Sequence, residues 1–127
     1  MDLEDFKPTF DDVEVILYNG KGEDRTPILN PDGSEMEITL FSPHTKEYKK
    51  AKNTVVRNFI DQASETGKED LEIDFEQIFP LITKSWNITY KKESPTLSVE
   101  KAKEIYENIP LILPQLDSGL NKAQDFT

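Results

Sequence analysis

The hydrophobic pattern of this chain changes its period once, at Ser42-Pro43, and that change constrains the fold more than any other feature. Before it, apolar and polar residues alternate along Val13–Tyr18 and Met36–Leu40, as in strands that bury one face. After it, apolar residues recur every three or four positions, as in helices that bury one stripe. The pattern therefore predicts an α+β fold, with a small N-terminal antiparallel β hairpin or meander followed by a bundle of about four helices.

Turn-forming residues separate the strand patterns. Asn19-Gly20 and Asn30-Pro31-Asp32-Gly33 supply positive φ or a fixed proline φ where the chain must reverse. Between these two turns, Thr26–Leu29 is a candidate for a short middle strand. We expect the remaining order to be strands first and helices after.

The length of 127 residues allows one compact domain, since single domains usually contain about 100 to 150 residues. Hydrophobic residues make up 35% of the chain and charged residues 31%, which predicts a modest core with mobile ends. We expect a single domain over 1–127, with 1–11 flexible, 12–42 as the β region and 43–127 as the helical region.

Two helical segments are predicted directly after the strands. The first runs from about 43 to 66, with Ser42 or Thr45 as its cap and Gly67 marking its end. Its apolar stripe consists of Tyr48, Ala51, Val55, Val56, Phe59, Ile60 and Ala63. The second segment is interrupted by Pro80. Its apolar face consists of Leu71, Phe75, Ile78, Phe79, Ile82 and Trp86.

Two further helices are predicted after a polar loop over Asn87–Pro95. Ser98 caps the third helix, which spans roughly Val99 to Asn108. Pro110 ends that helix, and a fourth follows from Leu111 to about Gln124. The residues expected to face the core are Val99, Ala102, Ile105 and Tyr106 on the third helix, and Leu113, Leu116, Leu120 and Ala123 on the fourth.

The charge of the chain disfavours two classes of partner. The 25 acidic residues against 15 basic ones give a formal charge of −10, which repels phosphate backbones and anionic membranes. No stretch approaches the roughly 20 apolar residues that span a bilayer, and Met1–Asp5 begins acidic, unlike a signal peptide. We therefore expect a soluble protein, with neither nucleic acid nor a membrane as its partner.

Patterns for catalysis or cofactor binding are missing from the sequence. The chain has no cysteine, which excludes thiolate zinc sites and cysteine nucleophiles. His44 is the only histidine and is interpreted as an exposed residue near a helix start. Gly20-Lys21-Gly22 lacks the Lys and Ser/Thr that complete a phosphate-binding loop. We expect no catalytic residues, no cofactor and no metal, and predict that the protein is not an enzyme.

Basic residues gather on the first predicted helix. They are Lys46, Lys49, Lys50, Lys52 and Arg57. Such a face can meet nucleic acid or an acidic protein segment, or pair with the surplus acids of the chain itself. Because no aromatic residues are interleaved with these lysines, we favour a solvated face.

Several segments from Met36 onward share their order and spacing with a known family. They are the strand Met36–Phe41, the run Ser42–Ala51 into a helix, Lys84–Ile88 with its tryptophan, the capped start Ser98–Tyr106, the proline turn Ile109–Leu116 and the end Ala123–Thr127. In this order the chain resembles the small tail assembly chaperones of long-tailed bacteriophages. It departs from them at Lys101, where Asn is common, and in Thr89–Pro95, which lacks their Gly-Glu-Pro segment.

The resemblance implies a binding protein of the infected host cell. It would bind the tape measure protein, keep its hydrophobic helices soluble in the host cytoplasm, and assist the addition of tail tube subunits. It would be absent from the mature virion, and it could form a homo-oligomer, as members of the family do. Two alternatives remain open, a virion structural protein of the tail or head–tail connector, and an acidic DNA-mimic inhibitor suggested by the charge alone.

A hydrophobic groove for a partner helix would suit a protein of this kind. Core packing is favoured for Trp86, because a small domain needs nearly all its large apolar residues. The residues that we predict for partner binding are Phe79, Trp86, Tyr106, Pro110, Leu113, Leu116 and Phe126.

Overall fold

The computed structural model describes residues 12–20, 22–66 and 74–124, and its fold is α+β, as predicted. Its strands are β1 (Asp12–Ile16), β2 (Tyr18–Asn19), β3 (Thr26–Pro27), β4 (Glu37–Phe41) and β5 (Thr83–Asn87). Its helices are α1 (Lys46–Thr66), α2 (Ile78–Ile82), α3 (Val99–Asn108) and α4 (Ile112–Gln124). The predicted flexible segment 1–11, the helix end at Gly67, and Phe126 lie outside the described residues.

The main sheet is antiparallel, with the strand order β1-β4-β5. Val13 lies opposite Leu40 and Val15 opposite Ile38, and all four side chains are buried. Since successive side chains of a strand point to opposite faces, these four share one face of the sheet. The predicted alternation therefore marks the core face of β1 and β4 correctly.

The predicted middle strand is shorter than Thr26–Leu29 and lies elsewhere. β3 covers only Thr26–Pro27 and pairs with β2 in a separate two-stranded sheet, because β1 pairs directly with β4 and leaves no place between them. Gly20, with a φ of 95°, lies in the chain reversal between β2 and β3. Backbone hydrogen bonds among Leu17, Ile28 and Met36 join the two sheets.

The second helical segment is shorter than predicted, and Trp86 lies in a strand. A 3₁₀ turn at Phe75–Gln77 leads into α2, where Pro80 occupies the first turn and its missing N–H costs little. The chain then extends as β5, with Trp86 opposite Ile38 on β4. Pairing with β4 gives hydrogen-bond partners to the backbone N–H and C=O groups of both strands. If the helix continued instead, the groups along this edge of β4 would have no partner. The expected order of strands first and helices after is therefore wrong for β5.

Helix α1 begins three residues later than predicted, because Thr45 and not Ser42 is its cap. The Thr45 Oγ1 accepts a hydrogen bond from the Tyr48 N–H at 3.2 Å. Ala51 and Val55 face the core, but Ile60 is 56% exposed, contrary to the predicted stripe. Helix α1 is about 32 Å long, whereas the five-residue strands of the main sheet are only about 17 Å long. The C-terminal turns of α1 therefore have less of the core to pack against.

Helix α3 has the predicted bounds, and the Ser98 Oγ accepts a hydrogen bond from the Lys101 N–H at 3.0 Å. Ala102, Ile105 and Tyr106 are buried as predicted, but Val99 is 49% exposed. Val99 lies in the first turn of α3, beyond the residues that pack against the core. Helix α4 buries Leu116 and Leu120 as predicted, together with Ile112. Within the described ranges no helix is both long enough and apolar enough to cross a membrane.

Candidate functional site

A groove of about 590 Å³ lies between α1, the segment 74–81, α3 and the start of α4, and we call it the helix groove. Its walls come from four parts of the sequence that only the fold brings together. α1 contributes Thr54, Val55, Asn58, Asp61 and Gln62; segment 74–81 contributes Asp74, Glu76, Gln77, Pro80 and Leu81; α3 and α4 contribute Val99, Lys103, Tyr106, Glu107 and Leu113.

The floor of the helix groove is apolar. Val55 and Tyr106 are almost completely buried beneath it. Leu81 and Leu113 are half-buried, and the exposed side chain of Val99 stands at the α3 wall. An apolar side chain that entered this groove would therefore remove further apolar surface from water, which is the main favourable term in association.

The rim of the helix groove is acidic. Asp61, Asp74, Glu76 and Glu107 are exposed around it, and Lys103 is the only basic residue among the described residues of its lining. Asp74 is held in place because its Oδ1 accepts a hydrogen bond from the Glu76 N–H at 3.1 Å. A surface of one dominant sign favours ligands of the opposite sign. The groove is therefore suited to an apolar segment flanked by lysine or arginine.

Hydrogen bonds and ring packing fix the floor beneath the groove. The Thr83 Oγ1 donates to the Phe79 carbonyl at 2.7 Å and lies within hydrogen-bond distance of the Tyr106 hydroxyl, at 2.7 Å. Trp86 packs edge-on against the Tyr106 ring, with centroids 6.4 Å apart. Burial raises the pKa of Tyr106 to about 12, although the hydrogen bond with Thr83 acts in the opposite direction. Tyr106 therefore joins the groove to the sheet.

The buried phenol of Tyr106 gives a prediction for alkaline pH. Its folded pKa is raised above the unfolded value near 10, so its contribution to stability is complete below pH 10 and is lost as pH rises towards 12. We expect the wild-type free energy of unfolding to fall by about 1 kcal/mol more than that of Tyr106→Phe between pH 9 and pH 11. Urea unfolding at both pH values measures this difference. Equal losses of stability in the two proteins would contradict this prediction. Burial also raises the pKa of Tyr48, but both proteins contain Tyr48, so its effect cancels in the comparison.

The predicted partner-binding residues do not form one surface. Phe79, Tyr106 and Leu116 belong to the core, where a partner cannot reach their full side chains. Trp86 is half-buried, and its Nε1–H donates to the Pro95 carbonyl at 2.9 Å. Packing within the domain therefore accounts for these four residues.

The other predicted partner-binding residues lie near the start of α4. Pro110 is exposed in the short connection between α3 and α4, and Leu113 lines the helix groove. Phe126 lies outside the described residues. Of the predicted residues that the structure describes, Tyr106 and Leu113 line the groove and the other four do not.

Sequence reasoning missed most of the groove, although one signal was available. Each of two helices carries a row of lining residues spaced by four and then three positions. The rows are Thr54, Asn58 and Asp61 on α1, and Val99, Lys103 and Tyr106 on α3. Such rows mark one side of a helix. Because the α1 row is polar, the sequence alone does not distinguish it from a solvated face. Its part in the groove is evident only when α3 is known to lie opposite it.

The arrangement is suited to binding, and the described residues hold no group of three or more His, Asp or Glu side chains that could bind a metal ion. His44 is exposed, before the first turn of α1. Comparisons with protein-family models, with curated proteins and with solved structures find no match for this chain.

Proposed function

We propose that this protein is a phage tail assembly chaperone that binds an apolar helical segment of the tape measure protein in the helix groove. The observation that carries the proposal is the groove itself, with its apolar floor and acidic rim. An amphipathic helix docks in such a groove through side chains at positions i, i+3, i+4 and i+7. The acidic rim selects helices that carry basic residues beside their apolar stripe.

The segments that resemble the chaperone family also build the groove. Ser98–Tyr106 supplies Val99, Lys103 and Tyr106, and Ile109–Leu116 supplies Leu113. Gln115 in the second segment receives a hydrogen bond from the Tyr18 N–H at 2.8 Å and donates to the Tyr18 carbonyl at 2.9 Å. This pair of bonds anchors the start of α4 to β2. The resemblance and the groove therefore support the same function through the same residues.

The groove is suited to reversible binding. Val99 is its most exposed apolar side chain, while Leu81 and Leu113 are already half-buried, so a client helix covers a limited additional apolar area. Exposed ion pairs with the rim add at most about 1 kcal/mol each. A chaperone must release its client when the tail assembles, and this limited contact area permits that release.

Val99→Asp tests the proposal directly. The change places a charge where the apolar stripe of the client helix would bury it, and the cost of burying that charge exceeds the about 1 kcal/mol that an exposed ion pair with the client can return. We therefore expect synthetic helical peptides from the tape measure protein to bind at least about tenfold more weakly. Because position 99 is in the first turn of α3, an aspartate there interacts favourably with the helix dipole and the fold should be retained. Fluorescence anisotropy measures the affinity, and thermal unfolding checks the fold.

Leu29→Asp is the matched control, since Leu29 is similarly exposed but does not line the groove. It should bind the peptides as the wild type does. Equal losses in both variants, or no co-purification of wild-type protein with the tape measure protein, would contradict the proposal. Detection of the chain by mass spectrometry in purified virions would instead favour a structural protein of the tail or connector.

A further inference from the structure

A second charged surface lies on α1, and its sign is opposite to that of the groove rim. Lys46, Lys49, Lys50 and Arg57 surround a shallow depression of about 430 Å³, together with Asn53 and Thr54. We call this surface the basic face. All four cations are exposed, and the ion pairs between described residues use other lysines, Lys84 with Asp12 and Lys101 with Glu104. Among the described residues the basic face is therefore exposed to solvent.

Helix stability does not explain the position of these lysines. The N-terminal end of a helix carries a partial positive charge and favours acidic residues. On α1, Lys46 opens the helix and Glu47 is the only acidic residue of its first turn. The early lysines therefore oppose the dipole of the helix that carries them.

We propose that the basic face binds a short acidic segment of a partner protein. From Lys46 to Arg57 the face extends about 16 Å along α1, since each helical residue advances the axis by 1.5 Å. Carboxylates on one side of an extended segment repeat at about 6.7 Å, so two or three of them span this distance. The partner's acids replace water around lysines that have no carboxylate partner among the described residues.

Charge density favours an acidic peptide over nucleic acid. A duplex carries a negative charge for about every 1.7 Å of its axis and continues beyond a 16 Å patch, over a chain whose net charge is −10. A short peptide ends within the patch and avoids that repulsion. The lining of the basic face contains no aromatic side chain on which a base could stack.

The two surfaces meet on α1, where Thr54 lines both. Binding to the basic face does not depend on the function proposed for the groove, because the two surfaces use different charged residues.

The test uses a fluorescent pentaglutamate peptide, which presents three carboxylates on one side over about 13 Å, and the full chain in 0.1 M salt. At this ionic strength the Debye length is about 10 Å, so distant acids are screened and the local patch decides binding. We expect the triple variant Lys46→Gln/Lys49→Gln/Lys50→Gln to bind at least about tenfold more weakly than the wild type. Lysine and glutamine have similar helix propensities, so α1 should persist, which circular dichroism verifies.

A matched triple variant, Lys91→Gln/Lys92→Gln/Lys122→Gln, removes the same charge from exposed positions outside the basic face. It should change the affinity less than about twofold. The proposal is overturned if the wild type does not bind pentaglutamate, or if both triple variants lose affinity equally. It is also overturned if a single-stranded oligonucleotide of equal charge binds more tightly than the peptide.

Discussion

Replacing Leu116 with alanine is expected to lower the free energy of unfolding by about 3 to 4 kcal/mol. Leu116 on α4 is completely buried within the core. Truncation of a buried leucine removes its transfer free energy and leaves a cavity, which together cost about 2 to 5 kcal/mol. Because small domains are stable by only about 5 to 15 kcal/mol, the urea midpoint should fall markedly at an unchanged denaturant slope.

Leu113→Ala is the control for this prediction, because Leu113 lies on the same helix but is half-buried. It should destabilise the domain less and weaken client binding more, since its side chain lines the helix groove. If Leu116→Ala instead left the stability unchanged and abolished client binding, Leu116 would be a partner-binding surface residue and the core described above would be incorrect.

The bounds of α3 and the core faces of β1 and β4 could be predicted from neighbouring residues alone. Both ends of α3 were predicted from Ser98, the apolar spacing after it and Pro110. Such a prediction is possible because capping and helix termination involve only neighbouring residues. The alternation in β1 and β4 was likewise local. These are the elements whose bounds the sequence predicts most closely.

Long-range pairing determined the element that was predicted incorrectly. Residues Phe75 to Trp86 carry a helical spacing, yet the chain leaves the helix after Ile82 and pairs with β4, more than forty residues earlier in the sequence. No window of ten or fifteen residues contains that pairing, so tertiary context overrides the local pattern. The 2.7 Å contact between Thr83 and Tyr106 is another such long-range determinant.

The candidate site was less predictable than the fold for a related reason. Partner-binding residues were chosen by size and apolarity, which are the same properties that place Phe79 and Leu116 in the core. The helix groove depends on what remains exposed after packing, and on acids such as Asp61 and Glu107 from different helices. Its composition therefore follows from the helix arrangement.

Replacing Gly119 with valine is expected to lower the free energy of unfolding by about 3 kcal/mol. A Cβ at this position on α4 would lie 2.8 Å from the Val15 Cγ2 on β1, closer than van der Waals contact allows. Val15 is buried and β-branched, so its χ1 cannot rotate freely to make room. Overpacking of this kind costs about 1 to 3 kcal/mol, and the three added carbons place the cost at the upper end.

Helix propensity alone predicts the opposite sign, because a glycine inside a helix is about 0.5 to 1 kcal/mol less favourable than alanine. The stability of Gly119→Ala, measured by urea unfolding, therefore distinguishes close packing from propensity, and a gain would refute the described contact. Ser118→Ala on the exposed side of α4 should be nearly neutral. In the double variant with Val15→Ala, the loss caused by Gly119→Val should shrink by at least about 1 kcal/mol, because the two side chains compete for one space between α4 and β1.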